Sequence, residues 1–252
     1  MLNIVIPMAG RGRRFLEAGF RLPKPLIPVD GVPVIEYVIA NLRPARSHRF
    51  IFLCLAEHIA AHGLDAILQR LAPGCAVLPV NEVTGGAACT VLLAKDLIDN
   101  GEPLMIANSD QLVDADIDAY LDAAGEADGL IMTMRADDPK WSFVRLDGAG
   151  RAVEVAEKRV ISNEATVGVY NFRRGCDFVE AAEGMIGKGL RVNGEFYVAP
   201  VYNELIAAGR SIAVYNVGAE FDGMYGLGIP ADLDRFAKLN IAGKILKKGG
   251  RP

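Results

Sequence analysis

Several short stretches of this chain hold residues whose types and spacing suit the handling of polyanions. The first is Ile4 to Leu26, IVIPMAGRGRRFLEAGFRLPKPL. Its apolar run Ile4-Val5-Ile6 leads into a turn with Gly10 and Gly12, then Arg13 and Arg14, and closes on Pro23-Lys24-Pro25. Glycine has no Cβ, so backbone N–H groups there can approach phosphate oxygens closely. Arginine offers phosphate a planar fork, and lysine offers a movable point charge. The prolines flanking Lys24 restrict the backbone that carries it. The match to a dinucleotide fingerprint is weak, because Phe15 stands at the third glycine position. The Walker sequence Gly-Lys-Ser/Thr is absent too.

Further along, Asn81 to Ala88 reads NEVTGGAA. The Asn81 carboxamide can both donate and accept, and Gly85 and Gly86 would let backbone approach a base. A plain helix-entry turn explains the same glycines. Asp110 ends an apolar run as Asn108-Ser109-Asp110. A carboxylate there suits Mg²⁺, which favours carboxylate plus phosphate oxygens, although Ser109 and Asp110 are also good caps. Glu157-Lys158 by itself is a solvated pair. His58 and His62 lie four apart but lack the His-Glu-x-x-His pattern of a metal helix.

The elements that must position these groups alternate. Val34 to Leu42 is apolar at helical spacing, Phe50 to Leu55 is a buried strand, and Glu57 to Leu71 is a helix with a break at Gly63. Ala76 to Val80 reads as a strand, Ala87 to Ile98 as a helix and Leu104 to Ala107 as a strand. This alternation predicts a parallel sheet with helices on its faces. Ligands bind such sheets outside the carboxyl ends of the strands, where the loops at Gly10, Thr84 and Asn108 should converge. In the second half, strands are expected at Leu130–Met134, Phe143–Leu146, Val153–Glu157, Val167–Phe172 and Ile212–Val217. Asp147 to Gly150 is a hairpin turn. Helices are expected at Asp116–Ala124, Asp177–Ile186, Pro200–Ala208 and Ala231–Leu239, with a mobile loop over Gly184–Gly194.

These stretches resemble the signature of the sugar-phosphate nucleotidyltransferases, or NDP-sugar pyrophosphorylases: Gly-x-Gly-x-Arg followed by Pro-Lys-Pro-Leu. Ala9 replaces the first glycine of the family's usual pair. The likeness continues through Thr84 to Ala88, Asn108 to Asp110, Glu157-Lys158 and Gly228-Ile229-Pro230, nearly the whole chain, and is closest to short bacterial members linked to capsule and surface polysaccharide. It implies a single Rossmann-like α/β domain over 1–252, with a mixed, mainly parallel sheet. Residues 1–112 would form the nucleotide half, 113–240 the acceptor half and 241–252 a tail. It implies transfer of a nucleoside monophosphate from a nucleoside triphosphate to a sugar 1-phosphate, with Mg²⁺. Arg14 would contact the triphosphate and Lys24 the transferring phosphate. Met8, Ala9, Gly10, Gly12, Asn81, Thr84, Gly85, Gly86, Ala87 and Asn108 would line the nucleotide. Glu157, Lys158, Gly168 and Tyr197, with Asn203 nearby, would line the acceptor. Asp110 would be the principal metal ligand. Gly226 stands where many relatives carry a second metal-binding aspartate, so Asp222 becomes the candidate second ligand, provided the chain folds back.

Other readings are a cytidylyltransferase for a phosphorylated alcohol, amino acid or amine, and a non-catalytic nucleotide sensor. A glycosyltransferase is disfavoured because Asn108-Ser109-Asp110 lacks the first aspartate of Asp-x-Asp. Composition is that of a globular protein: 252 residues, 51% hydrophobic, 23% charged, net charge −4. No basic excess points to nucleic acid, and Lys244 to Arg251 reads as a solvated basic end. No stretch is apolar enough for a membrane span. The N-terminal run lacks the features of a secretory signal, and Cys54, Cys75, Cys89 and Cys176 show no paired spacing. A cytoplasmic location is therefore expected, and a homo-oligomer is compatible with all of this.

Overall fold

Ile4, Val5 and Ile6 are fully buried in strand β1 (Leu2–Met8). Burying each side chain contributes roughly 1.5–3 kcal/mol, so β1 makes a stiff platform for the loop after it. The computed structural model describes residues 1–239 and 241–248. After β1 come α1 (Arg13–Glu17), a 3₁₀ turn (Lys24–Leu26), the small hairpin β2 (Pro28–Val29) and β3 (Val32–Pro33), and α2 (Val34–Leu42). Then follow β4 (His48–Leu55), α3 (Ala56–His62), α4 (Leu64–Leu71), β5 (Ala76–Val80), α5 (Ala87–Leu92), α6 (Lys95–Ile98) and β6 (Leu104–Ala107). The second half comprises β7 (Gln111–Val113), α7 (Ile117–Asp122), β8 (Gly129–Arg135), β9 (Ser142–Leu146), β10 (Ala152–Glu157) and β11 (Glu164–Phe172). It ends with α8 (Gly175–Gly187), α9 (Tyr202–Ala207), β12 (Ile212–Glu220), β13 (Gly223–Gly226), α10 (Pro230–Ala237) and α11 (Ala242–Lys248).

One eleven-stranded sheet runs through both halves in the order β5-β4-β1-β6-β11-β8-β12-β13-β7, with the β9–β10 hairpin joined at β11. Strands β5, β4, β1 and β6 are parallel, β11 opposes β6 and β8, and β7 opposes β13. This is the mixed, mostly parallel α/β sheet that the sequence implies. The carboxyl ends of β1, β5 and β6 lie on one edge, so the loops that follow them share it. Helices cover both faces over two apolar clusters, one centred on Ile4, Tyr37 and Phe52, the other on Val5, Phe172 and Tyr202.

Some elements differ from expectation. The helix over Ala87–Ile98 is interrupted between Leu92 and Lys95. Gly184 and Gly187 belong to α8, so the expected mobile loop begins later, after Gly187. The basic stretch from Lys244 starts inside α11, which buries Ala242 and Ile245 and packs on α2; residues 249–251 lie outside the described residues. Asn41 of α2 binds both edge groups of Val113 in β7, with Nδ2 donating to its carbonyl at 2.7 Å and Oδ1 accepting from its N–H at 2.8 Å. That buried pair of bonds holds a three-residue strand too short to be stable alone.

Candidate active site

Two adjoining cavities open on the carboxyl edge of the sheet. The first, of about 300 Å³, is lined by Met8, Gly10, Gly12, Lys24, Asn108 and Asp110, among others. Its features follow from the chain around it. β1 delivers Met8, and Pro23 in extended conformation opens the 3₁₀ turn that aims Lys24 inward. The Lys24 ammonium pairs with the Asp110 carboxylate and lies 5.7 Å from the centroid of the buried Phe15 ring. Their side chains are 17% and 28% exposed, so the pair is partly shielded from water. Ala9 is buried beneath this loop.

The second cavity, about 330 Å³, includes Arg14, Ala87, Asn108, Asp110, Glu157, Lys158, Gly168 and Tyr197 in its lining. Asn108 and Asp110 therefore line both. Lys158 Nζ donates to the Tyr197 hydroxyl at 2.7 Å, which raises the pKa of the ammonium. The Ser142 hydroxyl donates to Glu157; burial pushes the Glu157 carboxyl up against that bond's opposing effect. The hairpin β9–β10 registers Ser142 opposite Glu157, which is how the two meet.

Gly168 is the tightest point. Its φ is +77°, and a Cβ there would lie 1.9 Å from Gln111 Oε1 and 2.4 Å from Asn108 Nδ2. The β11–β8 register shifts between Thr166 and Tyr170, and on the β6 side of the same strand the Gly168 carbonyl accepts from the Asn108 N–H at 2.9 Å, next to the Val169–Ala107 pair.

The structure moves several expected residues. Arg14, expected on the triphosphate, lines the second cavity with Ala87. Asn81 is exposed just past β5 and lines neither of these two cavities. The Thr84 hydroxyl is turned into its own loop, donating to the Gly86 carbonyl at 2.9 Å and lying 2.6 Å from Thr90 Oγ1. Gly85 and Gly86 pack against another strand of chain rather than leaving an open face. The Phe196 N–H donates to the Gly85 carbonyl at 2.8 Å, and the Ala88 N–H to the Phe196 carbonyl at 3.0 Å. Asn203 faces away, bonding both the N–H and the carbonyl of Val155 at 2.8 and 2.7 Å, so it ties α9 to β10. Asp222 is the clearest correction. The chain does turn sharply there, with the Ala219 N–H donating to the Asp222 carbonyl at 2.7 Å and the Asp222 N–H to the Ala219 carbonyl at 3.0 Å, but Gly223–Gly226 then runs against β7, and Asp222 stays exposed and lines neither cavity. Instead, Asp232 Oδ2 lies 3.7 Å from where a Gly226 Cβ would sit, and burial pushes that carboxyl up.

Sequence reasoning missed Gln111, Ser142, Lys140 and Trp141, all lining the second cavity. Only Gln111 had a local signal, its place directly after Asp110. No group of three or more His, Cys, Asp or Glu side chains placed to hold a metal occurs among the described residues, His58 and His62 included. The one carboxylate of the first cavity, Asp110, fits Mg²⁺ arriving with a triphosphate, since that ion accepts one or two carboxylates plus phosphate oxygens. No helix among the described residues is long and apolar enough to cross a membrane.

A glycine-rich loop, a lysine and a strand-end aspartate, next to a second polar cavity, on a mostly parallel sheet, define a nucleotidyltransferase fold. The chain belongs to the nucleotidyl transferase family, which it matches over residues 4–186. It is similar to the nucleoside-diphosphate-sugar pyrophosphorylase from Vibrio cholerae RC9, with 26% identity and a TM-score of 0.81, covering 94% of this chain and 100% of that one. The inositol-1-phosphate CTP transferase from T. maritima shares the fold, with a TM-score of 0.75 at 17% identity over 99% and 96% of the two chains. Among curated proteins it is 26% identical over 258 residues to the bifunctional protein GlmU of Burkholderia mallei, covering 98% of this chain and 54% of that protein. The chain thus spans about half the length of the curated relatives it matches.

Proposed function

We propose that the chain transfers a nucleoside monophosphate from a nucleoside triphosphate to a sugar 1-phosphate, giving an NDP-sugar and pyrophosphate. One observation carries this reading. Asn108 and Asp110 line both cavities, so ligands held in the two would meet at the end of β6. An oxygen of the acceptor phosphate attacks the α-phosphorus, and the bond from that phosphorus to the pyrophosphate oxygen breaks in line. The attacking oxygen is already ionised, so the protein's tasks are positioning and charge stabilisation rather than base catalysis. Lys24 meets charge growing on the α-phosphate. Lys158 holds the acceptor phosphate from the opposite side, and Glu157 accepts from acceptor hydroxyls. Mg²⁺, held by Asp110 and phosphate oxygens, would neutralise triphosphate charge. The likeness to short bacterial members supports a cytoplasmic role in surface-polysaccharide synthesis.

A phosphorylated amine is a poorer acceptor for this cavity. The rings of Trp141 and Tyr197 already carry lysine ammoniums, Lys140 at 4.9 Å and Lys158 at 4.8 Å, so a cationic acceptor would meet like charge there. A nucleotide sensor would need only the first cavity.

Pyrophosphate release is the direct test. It is expected with Mg²⁺ when one of CTP, UTP, dTTP or GTP is paired with a sugar 1-phosphate, and absent when either is omitted. Release from no pairing would end the reading. In Lys158→Ala, the acceptor KM is expected to rise roughly tenfold to a hundredfold, the scale of a lost charge-assisted hydrogen bond, with little change for the triphosphate. Equal weakening of both would move Lys158 to the nucleotide or to a structural role.

The single-carboxylate metal site has its own test. Asp110→Ala is expected to raise the Mg²⁺ concentration needed for half-maximal turnover, and Asp222→Ala to leave it unchanged. An equal rise in both variants would mean that the turn carrying Asp222 reaches the metal in the working enzyme.

A further inference from the structure

We infer that Gln111 is a positioning and specificity residue: it fixes the Asn108 carboxamide at the junction of the two cavities and turns its own Nε2 donors toward a hydroxyl of the acceptor. The inference rests on the proposed reaction for the identity of that acceptor.

The geometry is asymmetric in a useful way. Asn108 Nδ2 donates to Gln111 Oε1 at 2.9 Å. A carboxamide whose oxygen is engaged has its two N–H donors at the other end. Gln111 lines only the acceptor-side cavity of the two, whereas Asn108 lines both. Gln111 therefore grips, from the acceptor side, a group that faces both ligands. The grip is built into the backbone. Gln111 opens β7, where it pairs with Gly226 of β13, and Asn41 locks the far end of the same strand through Val113. Gly168 leaves room for the two carboxamides, which a Cβ would overlap at 1.9 and 2.4 Å. With its strand tied to β13 and α2 and its side-chain oxygen engaged by Asn108, Gln111 loses little freedom on binding, which is what positioning requires.

Two replacements separate the roles. Glutamate at 111 keeps an oxygen for Asn108 Nδ2 but brings no donors, and it adds charge beside the acceptor phosphate. Leucine removes both functions at similar volume. Binding of glucose, galactose and mannose 1-phosphates and of UTP, CTP, dTTP and GTP is measured by calorimetry on the full chain, together with pyrophosphate release. Gln111→Glu is expected to weaken the bound sugar 1-phosphate about tenfold or more, with triphosphate affinity within about twofold of the unchanged protein, since one hydrogen bond is worth up to about a factor of ten and the added charge repels the acceptor phosphate. Gln111→Leu is expected to lose the same acceptor affinity and also about tenfold in kcat, because Asn108 is released. Melting temperatures of both are expected to stay close to the parent, which separates the effect from misfolding.

If both variants bind sugar phosphate as the parent does, or if sugar phosphate and triphosphate weaken together, the assignment of Gln111 is overturned while the reaction stands. If the parent binds sugar phosphate but releases no pyrophosphate with any triphosphate, the reaction is overturned and Gln111 is judged by the binding data alone. If the parent binds none of these sugar phosphates, both fall.

Discussion

Lys24→Ala is expected to lower kcat by about a hundred- to a thousandfold, the scale on which one preorganised transition-state donor acts. Lys24 supplies the ammonium among the residues lining the first cavity. Arg14, the other cation of the opening motif expected at the phosphates, lines the second cavity instead. The ammonium is held in place before any ligand arrives, by Asp110 and by the Phe15 ring, so little reorganisation is needed at the moment of transfer. Lys24→Arg is expected to rescue only part of the loss, because a planar fork does not replace a compact ammonium at a site built for one. The fold should tolerate the change, since Asp110 keeps water on an exposed edge of its side chain. Single-turnover kinetics at saturating triphosphate would check it. A kcat within a fewfold of the parent would remove Lys24 from the chemistry.

Gly86→Ala is expected to destabilise the protein by about 2–6 kcal/mol, lowering Tm by roughly 5–20 °C for a chain of this size. Two causes add. The backbone there has φ +134° and ψ +174°, a region essentially reserved for glycine, at a cost on the order of 1–3 kcal/mol for other residues. A Cβ would also lie 2.4 Å from the Phe196 carbonyl oxygen and 2.5 Å from its nitrogen. Backbone atoms cannot rotate aside, so the chain crossing must open, at about 1–3 kcal/mol more. That crossing joins Gly85 to Ala88 with Phe196, next to Tyr197 in the second cavity. Loss of acceptor binding should therefore accompany the loss of stability. Gly10→Ala is the control, because its Cβ meets nothing within 4 Å. Thermal melts that overlay for Gly86→Ala and the parent would refute the packing account.

Much of the scaffold was legible from local pattern. Ala76–Val80 and Leu104–Ala107 are strands over the expected residues, α3 and α4 meet at Gly63 as expected, and Asp116 caps α7 with its own carboxylate. Continuous apolar runs can be satisfied only by burial on both faces, and helical spacing only by burial on one, so period and composition fix such elements without knowing their neighbours. The opening loop was legible too, because Gly10, Gly12, Lys24 and the strand-end Asp110 belong to segments whose order along a parallel sheet follows from chain topology. The acceptor side was not. Ser142 meets Glu157 through hairpin register, and Gln111 meets Asn108 against Gly168, whose missing Cβ leaves them room. The roles read into Arg14, Thr84 and Asn203 depended on which way each side chain turns, which spacing along the chain does not encode. Strand β13 makes the point most sharply. Four residues, Gly223–Gly226, carry no strand signal of their own, and Gly223 alone would have allowed a fold-back that brought Asp222 to Asp110. What keeps Asp222 away is pairing with β7, through hydrogen bonds to residues more than a hundred positions earlier, and cross-strand bonds of that range form only once the sheet exists.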